Sequence, residues 1–294
     1  MFRKNHNKLV TAIITIAVLL SLCVPALAAE SGEDVEEITT FYSIEGFANE
    51  VARLVNVQRH IAGLELLATI PSLASAAELR AIEIGQVFSH TRPDGRGPFT
   101  VLDEFDVPSW SHAGENIAIG QQTPAQVVQS WMNSPGHRAA ILNSNYNAIG
   151  TGVTRCPQNR TTWVQLFAGL RTPPTSPRVS TQQFVSRMFR LSLQREPDTA
   201  GLNFWTNQLL LGNKTGTELG RDFMFSAEMN SRNLSNAQFV DILYDAFLGR
   251  PADAAGREHW LHLMASGVTR MQVFNSFAGS PEFAGIAADY GILR

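Results

Sequence analysis

The chain has 294 residues, 44% of them hydrophobic, with 23 basic residues, 26 acidic residues and two cysteines. A formal charge of −3 argues against a nucleic-acid partner, which requires a basic surface to neutralise phosphates. The length suits more than one domain, and two cysteines are too few for a scaffold held by disulfides.

Arg3, Lys4 and Lys8 precede an apolar run from Leu9 to Leu22, and Pro25-Ala-Leu-Ala28 then sets small residues where a signal peptidase cuts. Residues 1–28 therefore read as a secretory signal peptide, with an uncleaved anchor as the alternative because the run is nearly long enough to span a bilayer. Its removal deletes three basic residues and no acid, which moves the formal charge from −3 to about −6. It also deletes Cys23, so Cys156 stands alone and reads as an incidental buried residue rather than a nucleophile. The mature chain is expected to be secreted or extracellular, or held at the cell surface, with no transmembrane segment of its own. Five acids between Glu30 and Glu37 make residues 29–43 a solvated acidic spacer.

Residues 44–170 mix helix and strand signals. Val51, Leu54, Val55 and Ile61 recur at helical spacing, as do Leu73, Ala77, Ile84 and Phe88 after Pro71-Ser72. Thr123-Pro124-Ala-Gln126 has the form of a capping box with proline at the first helical position, and Val127, Val128 and Trp131 supply one apolar face. Ile117 and Ile119 alternate as in a strand. Ile149 to Val153 and Thr161 to Ala168 are strand-like and flank the turn-like Pro157-Gln-Asn-Arg160, which predicts a hairpin. The expected class is α/β, with helices flanking a small, mainly antiparallel sheet.

Arg171-Thr-Pro-Pro-Thr-Ser-Pro-Arg178 is a stiff linker, placed at 171–179. Beyond it the pattern is all-α and it repeats. Gln183-Phe-Val185, Arg195, Asp198, Ala200-Gly201, Trp205 and Gly212 recur 55 residues later as Gln238-Phe-Val240, Arg250, Asp253, Ala255-Gly256, Trp260 and Gly267. Residues 180–290 are thus a duplicated helical domain, with copies at about 182–235 and 237–290. Each copy reads as a helix, a loop, a helix capped by the aspartate, and a shorter helix. Two copies can bury each other's apolar faces as a single domain. Arg195 and Arg250 are expected to brace the loop through Asp198 and Asp253.

No His-Glu-x-x-His, Gly-x-Ser-x-Gly, phosphate loop or dinucleotide fingerprint occurs. Three short strings carry the chemistry instead: His90-Thr-Arg-Pro-Asp-Gly95, Gly114-Glu-Asn-Ile-Ala118 and Trp131-Met-Asn-Ser-Pro-Gly-His137. Ser134-Pro135 looks like a helix start, which puts His137 in the first turn, where the helix dipole disfavours imidazolium. Arg92-Pro-Asp-Gly95 suits a type I turn that would point His90 out of its helix. Glu115 lies beside a strand, able to ligate a metal or to fix a histidine tautomer. His112 reads as a loop residue at the border of this group, and His259 and His262 as a surface face.

These strings, with Asn56-Val-Gln-Arg59, Gly63-Leu64, Phe88-Ser-His-Thr91, Ile141-Leu-Asn143 and Ile149-Gly-Thr-Gly-Val153, resemble the CAP superfamily of cysteine-rich secretory, antigen 5 and pathogenesis-related proteins. The likeness is to its compact bacterial SCP-like branch. The second domain looks like a helical module of unknown function found in secreted bacterial proteins. The resemblance implies an α-β-α sandwich whose cleft gathers His90, Glu115 and His137. Family members use two histidines and two acids there, often with a divalent metal such as zinc. The position of the second acid is Ser134 here. A lipid, sterol-like or cell-wall-derived ligand is implied for the cleft, and attachment to an envelope component for the C-terminal domain.

The resulting expectation is a secreted or surface-associated binding protein with a weak metal site formed by His90, Glu115 and His137. One alternative is a metal-dependent peptidase or other hydrolase with Glu115 as its catalytic residue, since two histidines and a carboxylate with an open position can activate water. The other is a structural envelope or spore-coat component in which the same polar cluster only pins the loops.

Overall fold

A computed structural model describes the backbone of residues 34–294 and the side chains from residue 46 onward. The expected signal peptide, residues 1–28, and the first part of the expected spacer lie outside the described residues. Helix α1 (Asp34–Ile61) begins inside the stretch assigned to that spacer. Thr40–Arg294 forms one compact unit.

After α1 come the two-residue strand β1 (Ala68–Thr69), helix α2 (Pro71–Gln86) and the short α3 (Thr100–Glu104). Strand β2 (Trp110–Ile119), helices α4 (Pro124–Asn133) and α5 (Pro135–Ile141), and strands β3 (Ala148–Arg155) and β4 (Thr161–Leu170) complete the first fold. The four strands form one sheet in the order β1-β3-β4-β2, with β1 parallel to β3 and the other pairings antiparallel. β3 and β4 are the expected hairpin, with Arg155 opposite Thr161.

β4 is buried along its whole length because both of its faces are covered. Trp163 and Phe167 point into a core with Val51 and Val55 of α1, Val127 and Trp131 of α4, and Ile141 of α5. Val164, Leu166 and Ala168, one residue out of phase, meet Leu73, Ala77 and Ile84 of α2. The result is helix, sheet, helix, as the resemblance implied. Gly150 and Gly152 on β3 let the backbone of α2 sit directly on the sheet: a Cβ at either position would collide with the carbonyl of Leu73 or Ala77. Thr123 caps α4 by accepting from the Gln126 N–H, but the Gln126 side chain accepts from Gln122 N–H rather than completing the capping box. Phe88, expected on the buried stripe of α2, lies beyond the helix end and is 54% exposed.

The second fold is all helix. Copy one is α6 (Pro177–Met188), extended by a π-helical turn Phe189–Leu193, then α7 (Thr199–Leu210), α8 (Gly216–Met224) and α9 (Ala227–Ser231). Copy two is α10 (Asn236–Leu243), a π-helical turn Tyr244–Leu248, α11 (Ala254–Ala265), α12 (Arg270–Ala278) and α13 (Pro281–Asp289). Asp198 and Asp253 cap α7 and α11, accepting from the N–H of Gly201 at 2.6 Å and of Gly256 at 2.8 Å. One hydrophobic core runs through both copies. Gly220 on α8 makes room for the ring of Phe247 from the other copy, which a Cβ there would approach to 2.6 Å.

The arginines of the repeat motif act differently from the expectation. Arg195 lies over the Phe189 ring and pairs with Glu228 at 2.6 Å, and Arg250 lies over Tyr244 and pairs with Glu282 at 3.2 Å. Only Arg250 also approaches its expected aspartate, Asp253, at 3.6 Å. Each arginine thus fastens its π turn to the last helix of its own copy.

Candidate functional site

The three strings converge at the free edge of the sheet. β2 is an edge strand, and Glu115 lies at its middle with its side chain only 1% exposed. His90 sits in the loop after α2, ahead of a turn closed by the Gly95 N–H donating to the Arg92 carbonyl at 2.9 Å. Gly95 takes φ +86°, a left-handed conformation that favours glycine. His137 is the third residue of α5. Ser134 occupies the cap position ahead of Pro135, but its side chain makes no capping hydrogen bond.

Glu115 Oε2 is 2.7 Å from His90 Nδ1. A carboxylate accepts, so Nδ1 carries the proton and His90 Nε2 is turned outward on a side chain that is 57% exposed. His137 is half-buried, and burial first and the neighbouring His90 second hold its pKa below the ordinary imidazole value. The ring is therefore neutral near pH 7. The helix dipole invoked from the sequence is not needed to explain this. The His137 carbonyl accepts from Asn116 Nδ2 at 3.2 Å, and the same amide donates to Gln165 Oε1 at 3.0 Å. Asn116, the neighbour of Glu115 on β2, thus ties α5 to the sheet.

Beneath these residues lies a buried ion network that no motif announced. Arg80 on α2 donates from Nε to Glu115 Oε1 at 2.7 Å and from Nη2 to Glu115 Oε2 at 3.3 Å, and its Nη1 pairs with Glu83. Arg92 joins Glu83 at 2.7 Å to Glu104 at 2.8 Å. Hydrogen bonds to Glu104, then to Glu83, hold the Arg92 pKa above its ordinary value. The signal available in the sequence was a charged pair, Arg80 and Glu83, set among the apolar positions of the α2 stripe. Such a pair stays buried only when its charges are matched.

The metal implied by the family resemblance does not fit this donor set. Both oxygens of Glu115 are held by Arg80, and one of them by His90 as well. Two unit charges about 4 Å apart interact by about 4 kcal/mol at an effective dielectric constant of about 20, and a divalent ion doubles that repulsion from the guanidinium. Ser134 offers no carboxylate. Two imidazoles remain, fewer than the three protein ligands of a catalytic zinc site. Among the described residues, no group of three or more His, Cys, Asp or Glu side chains is arranged to hold an ion. The three residues expected as metal ligands are brought together as a carboxylate–histidine pair, Glu115 with His90, and a second histidine, His137, beside it.

The remaining candidates stand apart. His112 is exposed on β2, not in a loop, with Ser111 Oγ 3.0 Å from its Nδ1. His259 and His262 are exposed on α11, His259 against Trp260. Cys156 is a free thiol, 5% exposed. Among the described residues, no helix is long and apolar enough to cross a membrane.

Comparison with known proteins gives the following. Sequence models match the cysteine-rich secretory protein family (CAP) at residues 52–167 and a domain of unknown function (DUF4214) at 175–229 and 220–286. The uncharacterized protein YkwD of Bacillus subtilis (strain 168) is 36% identical over 129 residues, 43% of this chain and 49% of YkwD. The uncharacterized membrane protein YlbC of the same strain is 48% identical over 46 residues, 16% of this chain and 13% of YlbC. The chain thus spans about half of the first relative's length and far less of the second's. Among solved structures, an outer surface protein from Borrelia burgdorferi is 28% identical, with 46% of this chain and 94% of that one covered at a TM-score of 0.36. An extracellular SCP-domain protein from Bacillus anthracis is 26% identical, with 48% and 45% covered at a TM-score of 0.40. With the three motif strings inside the matched stretch and the duplication inside the second, residues 52–167 are a CAP domain of the cysteine-rich secretory protein family, followed by a two-copy DUF4214 domain.

Proposed function

We propose that the protein is exported and acts by binding, with the CAP cleft taking an amphipathic, lipid or cell-wall-derived ligand and the C-terminal domain attaching to an envelope component. The observation that carries this reading is the commitment of Glu115. Its carboxylate is buried and paired with both Arg80 and His90, so it orients the cleft instead of serving as a free base. What faces outward is His90 Nε2 and the neutral His137, hydrogen-bonding groups suited to a polar head. Val87 and Phe88, 55% and 54% exposed and next to His90 in the chain, are apolar surface suited to a tail. The signal-like N-terminus supports export.

Isothermal titration with phosphatidylglycerol micelles and with soluble muropeptides tests the cleft. One of the two is expected to bind, and His90→Ala or His137→Ala to weaken it roughly 5- to 10-fold, the worth of one hydrogen bond. Binding that ignores both substitutions would remove the cleft from the account.

A hydrolase reading draws on the Glu115–His90 pair itself, since an imidazole oriented by a carboxylate is the usual form of a general base. A peptidase and esterase screen decides it: activity abolished by Glu115→Gln would replace the binding role with turnover.

A further inference from the structure

Arg80 reaches both of the loops and strands that make the cleft. Its Nε and Nη2 take the two oxygens of Glu115, and its Nη2 also donates to the carbonyls of Ser89 at 3.1 Å and His90 at 3.4 Å. Its Nη1 pairs with Glu83, which Arg92 ties in turn to Glu104. A guanidinium delivers contacts in several directions from one rigid plane, which an ammonium cannot do. The residue is 0% exposed and anchored in the middle of α2. A cation that belongs to the chain thus already stands on the carboxylate where the family resemblance puts a metal.

We infer that Arg80 is the resident cation of the cleft: it holds Glu115 and the His90 backbone together as a metal ion would, and its charge keeps divalent ions out. It is a positioning residue, acting through Glu115 and His90. Burial works against its charge, but the hydrogen bonds it donates to Glu115 and Glu83 outweigh that cost and keep its pKa above the ordinary arginine value, so the cation is permanent. The assignment goes beyond the proposed binding role, because it concerns what assembles the cleft and stands whether or not a ligand is found.

Zinc uptake by the chelator-treated full chain at pH 7.5 is the test, followed by isothermal titration with His137→Ala as the reference for ions bound elsewhere. The wild type is expected to bind no zinc that His137→Ala loses. Arg80→Gln, which keeps a planar amide without the charge, is expected to gain about one His137-dependent equivalent, and Arg80→Lys, which restores the charge, to exclude it again. A loss of packing alone would not create a metal site. His137-dependent zinc in the wild type overturns the inference, as does a folded Arg80→Gln that gains none or an Arg80→Lys that binds as the Gln variant does. Should Arg80→Gln fail to fold, zinc excluded from both the wild type and Arg80→Lys upholds the assignment, and zinc in either overturns it.

Discussion

Gln194 closes the π turn of the first repeat copy at φ +56°, ψ +36°, a left-handed conformation that crowds the Cβ of any residue but glycine. The same place in the second copy is Gly249, at φ +68°. Gln194→Gly is expected to raise stability by roughly 1 kcal/mol, the cost of holding a side chain there, reduced somewhat by the greater freedom of glycine in the unfolded chain. Gly249→Gln should lower it by a similar amount for backbone reasons, because a Cβ at Gly249 would come no closer than 3.5 Å to Ile286 and 3.7 Å to Arg187. Urea unfolding of both variants checks the pair, and effects of the same sign would refute the conformational explanation. At this scale the sequence was legible where a residue acts on its neighbours. Asp198 and Asp253 cap the helices they precede, and His90 and Glu115 belong to compact strings. It was opaque where the partner is remote: Glu228 is 33 residues from Arg195, Glu282 is 32 from Arg250, and Glu115 is 35 from Arg80. Charge pairing over such distances leaves no spacing to read.

Among the elements, the contact of α2 with β3 decides whether the cleft forms, because α2 carries Arg80. Gly152 has no side chain to rotate away, and the atom a Cβ would strike is a main-chain carbonyl of Ala77. Gly152→Ala is therefore expected to lift α2 off the sheet and cost about 3 kcal/mol or more, at the upper end of overpacking. A thermal melt followed by circular dichroism measures it, and an unchanged midpoint would mean that the two backbones are not in contact. α2 itself was legible from the period of Leu73, Ala77 and Ile84, all buried. The stripe overran at Phe88 because the helix ends at Gln86 with Val87 already extended, and the glycine near that end, Gly85, lies inside the last turn against Cys156 instead of forming a left-handed cap after it. Less of β2 was visible: only Ile117 and Ile119 alternate, since earlier in this edge strand Gly114 packs under Tyr146 on one face and Glu115 is held by Arg80 on the other. β1 and α3 are too short to show a period at all.

Over the whole molecule, the helical domain meets the CAP domain at the end of α1, and one of the contacts titrates. Arg178, the last residue of the proline-rich string and already the second of α6, has Nη2 2.6 Å from His60 Nδ1 and Nη1 3.4 Å from Asn207 of α7. A guanidinium only donates, so Nδ1 must offer its lone pair and the His60 ring must be neutral. Burial first, and the Arg178 charge second, hold the His60 pKa below its ordinary 6.5. A pKa lowered in the folded state means that the unfolded or undocked chain binds more protons in the interval between the two values. The contribution is therefore complete above about pH 6.5 and is lost as the pH falls through the folded value. Arg53, held by Glu50, reaches the Leu211 carbonyl at 3.5 Å beside Gly212, and Ser176 Oγ lies 3.5 Å from Glu65. Acidification from pH 7.5 to 5 is expected to loosen the two domains without unfolding either, read as a larger radius of gyration in small-angle X-ray scattering while the far-ultraviolet circular dichroism stays constant. His60→Gln, whose amide oxygen accepts from Arg178 at any pH, should stay compact at both. His137, also held low but in the cleft, supplies the control: His137→Asn should keep the wild-type response. An expansion that persists in His60→Gln would place the acid-sensitive contact somewhere other than the junction of α1 with Arg178.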